Sequence, residues 1–227
     1  MEEKGIMNAR LLGFFSGFPT RHFTDKIAAV LKEELIVRDS LVFISTQPDN
    51  YIQNDEDSDG MHRLFVEKNM PFANHCVIDN RTTTMEAIRL IQEADCIFLM
   101  GGNATLQMKL MCDKGIIDEI RKSNAVILGV SAGSMNMGKN TVDIYESAAP
   151  YEGLGFANLT IKAHYSGADE WLEALKSVSM KLPVCLMTDE SAIFIKGESV
   201  MKIGEIYRMV NGDIFPITQE KLEQILK

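Results

Sequence analysis

Along the first 130 residues, apolar runs of strand length alternate with stretches whose apolar positions fall three and four residues apart. A short apolar run closed by turn residues suits a strand buried on both faces, whereas spacings of three and four mark one face of a helix. Residues 10–15 read as a first strand, and a helix follows from about Thr24 with Ile27, Val30, Leu31 and Leu35 on one stripe. Residues 41–45 read as a second strand and residues 76–78 as part of a third. Thr83 followed by Glu86 has capping-box spacing, which satisfies the unpaired N–H groups of a helix start, and it opens a helix carrying Ile88 and Ile91. Residues 96–100 form a fourth strand, a helical pattern runs through Leu106 and Leu110, and a fifth strand ends at Ser131. Such alternation predicts an α/β fold, a mostly parallel sheet with helices on both faces.

The last third changes character. Residues 159–163 suggest a strand and residues 171–178 a helix, and the remainder reads as antiparallel strands joined by short turns. Asn211-Gly212 between apolar runs is a hairpin signal, because both residue types tolerate the positive φ that a two-residue turn demands. Thr218 and Glu220 precede a Leu222, Ile225, Leu226 stripe that makes a closing helix. No repeat or linker interrupts the pattern, so residues 1–227 are read as one domain.

Composition fits a packed enzyme, with 46% hydrophobic and 24% charged residues in 227. The apolar stretches fall short of the roughly 20 residues that a membrane helix needs, and Met1-Glu2-Glu3-Lys4 lacks the basic start of a signal peptide, so a cytoplasmic protein without a membrane partner is expected. A net charge of −9 argues against nucleic acid, whose phosphates call for clustered Lys and Arg. Cys76, Cys96, Cys112 and Cys185 form no C-x-x-C pair and read as reduced core thiols; Cys112 is expected to be buried in a helical pattern.

Chemistry concentrates in Gly129-Val130-Ser131-Ala132-Gly133-Ser134, an apolar strand that stops at a Ser between small residues. A hydroxyl that must stand clear at a tight strand-to-helix turn needs neighbours without bulk, so Ser131 is the candidate nucleophile of a nucleophile elbow. Gly101-Gly102-Asn103 also follows a strand, and both turns would lie at the carboxyl edge of the sheet, where α/β proteins gather their sites. The N–H groups of Gly102 and Ala132 could form an oxyanion hole, while Asn103 also reads as a plain helix N-cap. A Ser needs a base. Among four histidines, His22 falls between the first strand and its helix, His62 lies in the acidic segment and His75 precedes the third strand, near the wrong end of the sheet, whereas His164 ends a strand before small residues. Asp143, Glu146, Asp169, Asp189 and Glu190 all follow Ser131, and spacing does not choose a third member among them; Asp189 and Glu190 interrupt two apolar runs.

Asp55 to Gly60 imitates the first half of an EF-hand, but Val66 stands where the twelfth position needs a bidentate Glu, so an acidic loop or helix start is expected instead. Phosphate-loop, dinucleotide and H-E-x-x-H motifs are absent, and neither cofactor nor metal is expected.

Gly101-Gly102-Asn103, the Ser131 elbow, His164 and Asp189-Glu190 together resemble the aspartyl dipeptidase (peptidase E) and cyanophycinase family of serine peptidases across most of the chain. The resemblance implies a class I glutamine amidotransferase-like (flavodoxin-like) fold and a Ser-His-Glu triad of Ser131, His164 and Glu190, with oxyanion donors from Gly102 and Ala132. It further implies hydrolysis of dipeptides or similar small amides through an acyl-enzyme. Members carry Arg soon after the His, suited to gripping an Asp carboxylate; here the only cations from His164 to Pro183 are Lys176 and Lys181. Two other readings share the elbow. An α/β-hydrolase esterase places its acid before a late His, whereas here 63 residues follow His164; a non-catalytic amidotransferase-like binding protein would keep the elbow as a turn. The expected partner is a small peptide, and a homodimer is a reasonable expectation at this size.

Overall fold

A computed structural model of the chain describes residues 9–144 and 149–226. Its first sheet takes five parallel strands from the front of the chain, β1 (Leu11–Phe15), β2 (Ser40–Ile44), β3 (Asn74–Ile78), β4 (Cys96–Leu99) and β5 (Val126–Val130). The second sheet begins with β6 (Gly138–Val142), β7 (Pro150–Glu152), β8 (Ala157–Lys162) and β9 (Val184–Met187). The chain then returns to the first sheet as β10 (Ala192–Lys196) and β11 (Ser199–Ile203) and ends in the second as β12 (Ile206–Val210) and β13 (Asp213–Pro216). The strand orders are β11-β10-β1-β5-β4-β2-β3 and β13-β12-β9-β8-β6-β7.

Alternation along the strands sorts the core into layers, because successive side chains point to opposite faces. Leu11, Phe15, Leu41, Phe43, Phe98, Leu128 and Val130 pack under α1 (Asp25–Glu34) and the end of α2 (Tyr51–Glu67). Leu12, Phe14, Val42, Ile44, Ile97, Leu99 and Ile127 face the opposite layer, which holds α3 (Thr84–Glu93), α4 (Ala104–Asp113), α5 (Ile117–Lys122) and α6 (Ala132–Met137). That middle layer also receives Leu159, Ile161, Cys185 and Met187 of the second sheet and Leu222 of α8 (Gln219–Leu226). The outer face of the second sheet, with Val142, Val184, Leu186 and Met209, is covered by α7 (Leu172–Ser179).

The helix starts follow the chemistry read from the sequence: Thr24, Thr83 and Asn103 each accept a hydrogen bond from a backbone N–H three residues on. Asn211-Gly212 joins β12 to β13, both residues at positive φ. Two expectations are refined by the structure and a third, the burial of Cys112, is overturned. The acidic segment is a 17-residue helix, and its inward positions Asn54 and Ser58 are polar, so it lacks an apolar stripe until Leu64 and Phe65. The strands after α7 pair antiparallel as read, with one exception, since β9 runs parallel to β8. Cys112 is exposed on α4, because Leu110 and Met111 take the inward face.

Candidate active site

Ser131 sits at φ 53° and ψ −112°, between the last residue of β5 and the first of α6. Its N–H donates to the Phe15 carbonyl of the neighbouring strand (2.9 Å), so the turn is tied to the end of β1. A Cβ at Gly129 would come within 2.7 Å of the Gly133 backbone, and one at Gly133 would collide with the Leu99 backbone of β4. Both glycines are therefore demanded by close backbone approach. Ser134, fully buried, accepts from the Phe15 N–H (2.8 Å) and lies 2.6 Å from the Gly129 carbonyl oxygen, bolting the turn of α6 to β1.

His164 follows β8 of the second sheet, yet its Nε2 stands 2.9 Å from the Ser131 Oγ. Its Nδ1 stands 2.6 Å from Asp189 Oδ1, just beyond β9. Here the structure departs from the sequence reading: Asp189, not Glu190, holds the imidazole. Glu190 turns away at φ 60° and accepts a hydrogen bond from the Thr20 hydroxyl (2.9 Å). Neighbouring residues in a turn project their side chains in different directions, so only one of the pair can face His164. Asp143 and Asp169 are engaged elsewhere, with Thr105 and with Ser166; Glu146 lies outside the described residues. The other histidines are likewise apart: His22 meets Glu67, His75 meets Asp59, and His62 Nε2 accepts the Phe72 N–H.

The Gly101–Gly102 turn abuts the elbow, since a Cβ at Gly101 would stand 3.4 Å from that of Ser131. Gly102 has φ 133°, in the region that favours glycine, and any side chain there would run into Thr46, whose hydroxyl donates to the Gly101 carbonyl (2.7 Å). Ala132 is the first residue of α6, where backbone N–H groups have no intrahelical acceptor. Asn103 accepts from the Leu106 N–H (2.8 Å), so the cap and the turn coexist.

Sequence reasoning missed three contributors: Ser16, Gly17 and Thr46. The signal available was positional, because Ser16-Gly17 and Thr46 each follow the carboxyl end of a strand, as the two Gly-rich turns do. A cavity of about 960 Å³ opens beside the elbow, lined by Gly101, Val130, the segment after β1 and one face of α2.

Residues 43–203 match the model of a known family, peptidase family S51. Among solved structures, a peptidase from an acI-B1 Actinobacterium superposes with a TM-score of 0.72 at 13% identity, covering 93% of this chain and 95% of its own. A candidate peptidase E protein from Listeria monocytogenes EGD-e gives a TM-score of 0.65 at 16% identity, covering 86% of this chain and 98% of its own. These likenesses extend the fold over nearly the whole chain. No curated protein matches the sequence. With the family match spanning most of the chain, elbow and His164 included, the protein belongs to peptidase family S51, the peptidase E and cyanophycinase family.

Proposed function

We propose that the protein hydrolyses short peptides, dipeptides or similar small amides, through an acyl-enzyme on Ser131, with His164 as base and Asp189 as its orienting acid. One observation carries the proposal: Ser131 Oγ, His164 Nε2, His164 Nδ1 and Asp189 Oδ1 form a chain of two contacts at 2.9 and 2.6 Å. His164 takes the hydroxyl proton as Oγ attacks the carbonyl, and returns it to the leaving amine when the C–N bond breaks. Water then attacks the ester by the same route. Asp189 keeps a proton on Nδ1, which leaves Nε2 as the acceptor and stabilises the imidazolium. The N–H groups of Gly102 and Ala132 receive the oxyanion; one such donor contributes about 10² to 10³ in turnover.

The cavity beside Ser131 bears on substrate charge. Its lining includes four carboxylates, Glu56, Asp57, Asp59 and Glu67, against two guanidiniums, Arg21 and Arg63. A net acidic wall, with no Arg between His164 and Pro183, favours peptides with a neutral or basic first residue over those with Asp. A fluorophosphonate probe should label the wild type and leave Ser131→Ala untouched, and Ala-X and Lys-X dipeptides should be cleaved faster than Asp-X. Asp-X as the best substrate would overturn the charge argument. Absence of both labelling and cleavage of any dipeptide would overturn the peptidase reading.

A further inference from the structure

Resting on that reading of the site, we propose that Ser16 is a positioning residue: through the His164 backbone, its hydroxyl fixes the distance between the nucleophile and its base. The problem it solves is that the two partners belong to different sheets. Ser131 ends β5 of the first sheet and His164 follows β8 of the second. Consecutive residues at the end of β1 hold both. The Phe15 carbonyl accepts the Ser131 N–H at 2.9 Å, and the Ser16 hydroxyl accepts the His164 N–H at 2.8 Å. The same hydroxyl donates to the Met187 carbonyl at the end of β9 (2.9 Å), so its proton and a lone pair are both used. Ser16 is fully buried.

Two further features point the same way. His164 has φ 61°, a left-handed conformation that a residue with a side chain rarely keeps unless its surroundings impose it, and the Ser16 contact falls on its own N–H. Gly17 supplies space: a Cβ there would stand 2.5 Å from His164 Cε1 and 2.6 Å from Asp189 Oδ1. Around them the strand ends are stitched together, with the Ser16 N–H donating to Ser191 O and the Glu190 N–H to Gly17 O. Ser16 thus anchors the base, and Gly17 leaves room for the base to meet its acid.

The experiment compares Ser16→Ala with Ser179→Ala. Ser179 is an equally buried hydroxyl that joins Lys176 O to the Gly212 N–H, remote from the elbow. Two quantities are read on folded protein: the fluorophosphonate labelling rate of Ser131, and the imidazole proton that His164 shares with Asp189, followed by NMR. Ser16→Ala should slow labelling by roughly 10²-fold, the scale expected of a displacement of about 1 Å, and move or broaden the imidazole proton. Ser179→Ala should lower the unfolding midpoint and leave both quantities unchanged. If Ser16→Ala does not fold, Ser16→Cys fills the site with a slightly larger group that is a weaker donor and acceptor, and should shift both in the same direction. An unchanged rate and an unmoved proton would overturn the proposal. A wild type that resists labelling would strike the serine-peptidase reading alone, because the imidazole proton tests Ser16 without turnover.

Discussion

Ser131, His164 and Glu190 share a backbone feature unusual for residues with side chains, a φ between 53° and 61°. Each such conformation costs of order 1–3 kcal/mol and survives only where its surroundings overdetermine it. At Ser131 the strain turns the hydroxyl out of the sheet edge; at Glu190 it swings the side chain away from His164 and leaves Asp189 facing the imidazole. The consequence separates two neighbouring acids. Asp189→Asn should lower peptide turnover by roughly 10³ to 10⁴-fold, because an amide presents the wrong partner to Nδ1 and disturbs the tautomer that Nε2 needs. Glu190→Gln retains an acceptor for the Thr20 hydroxyl and should stay within about threefold of the wild type, since hydrogen bonds at exposed sites contribute little. Steady-state kinetics on any cleaved dipeptide decide it, and equal losses in the two variants would contradict this assignment.

The elbow was legible as an element because its demands are local. An apolar strand, two glycines and a Ser suffice to write it, and the steric cause recurs in the fold: Gly133 packs on the Leu99 backbone and Gly129 on Gly133. Gly133→Ala should therefore destabilise the protein by about 2 kcal/mol or more, since the atoms a Cβ would meet are the Leu99 carbonyl and Cβ, none of them the flexible end of a side chain. Gly115→Ala makes the contrast, because that glycine has φ 63° and open space around it, so only the left-handed penalty of about 1–2 kcal/mol applies. Denaturant midpoints of the two variants would show the difference, and Gly133→Ala should also lose fluorophosphonate labelling. Helix α2 was not legible as a whole element. Its inner face carries Asn54, which accepts from the Ser45 hydroxyl and donates to the fully buried Asp79, and Ser58, whose hydroxyl turns back to the Asp55 carbonyl, so its period carries no apolar signal. The choice of Asp189 was hidden for a related reason: which way two adjacent acids point is settled by a turn conformation and by Gly17, far away in sequence.

At the scale of the whole molecule, the two sheets share the middle helical layer, and residues 131 and 164 meet where the sheet edges come together. That layer is also where Cys185 lies, 4% exposed on β9 of the second sheet, against the core that the first sheet completes. Burial pushes its thiol up to about 12, and pushes fully buried Cys96 upward as well. The unfolded chain gives up the Cys185 proton at an ordinary thiol pH, whereas the folded chain holds it, so the unfolded state binds fewer protons between about 9 and 12. Folding stability must then fall as pH rises through that window, and the loss levels off once the folded thiol also ionises. Cys185→Val, which keeps an apolar group of similar size, should flatten part of the alkaline decline in the unfolding midpoint while leaving the slope between about pH 6 and 8 unchanged, outside the titration range of either state. Thiol reagents give an independent reading of the same layer. Exposed Cys112 should react at once, and Cys96 and Cys185 only at the rate of global unfolding. Rapid reaction of Cys185 in native protein would mean that the two sheets part far more readily than their shared core requires.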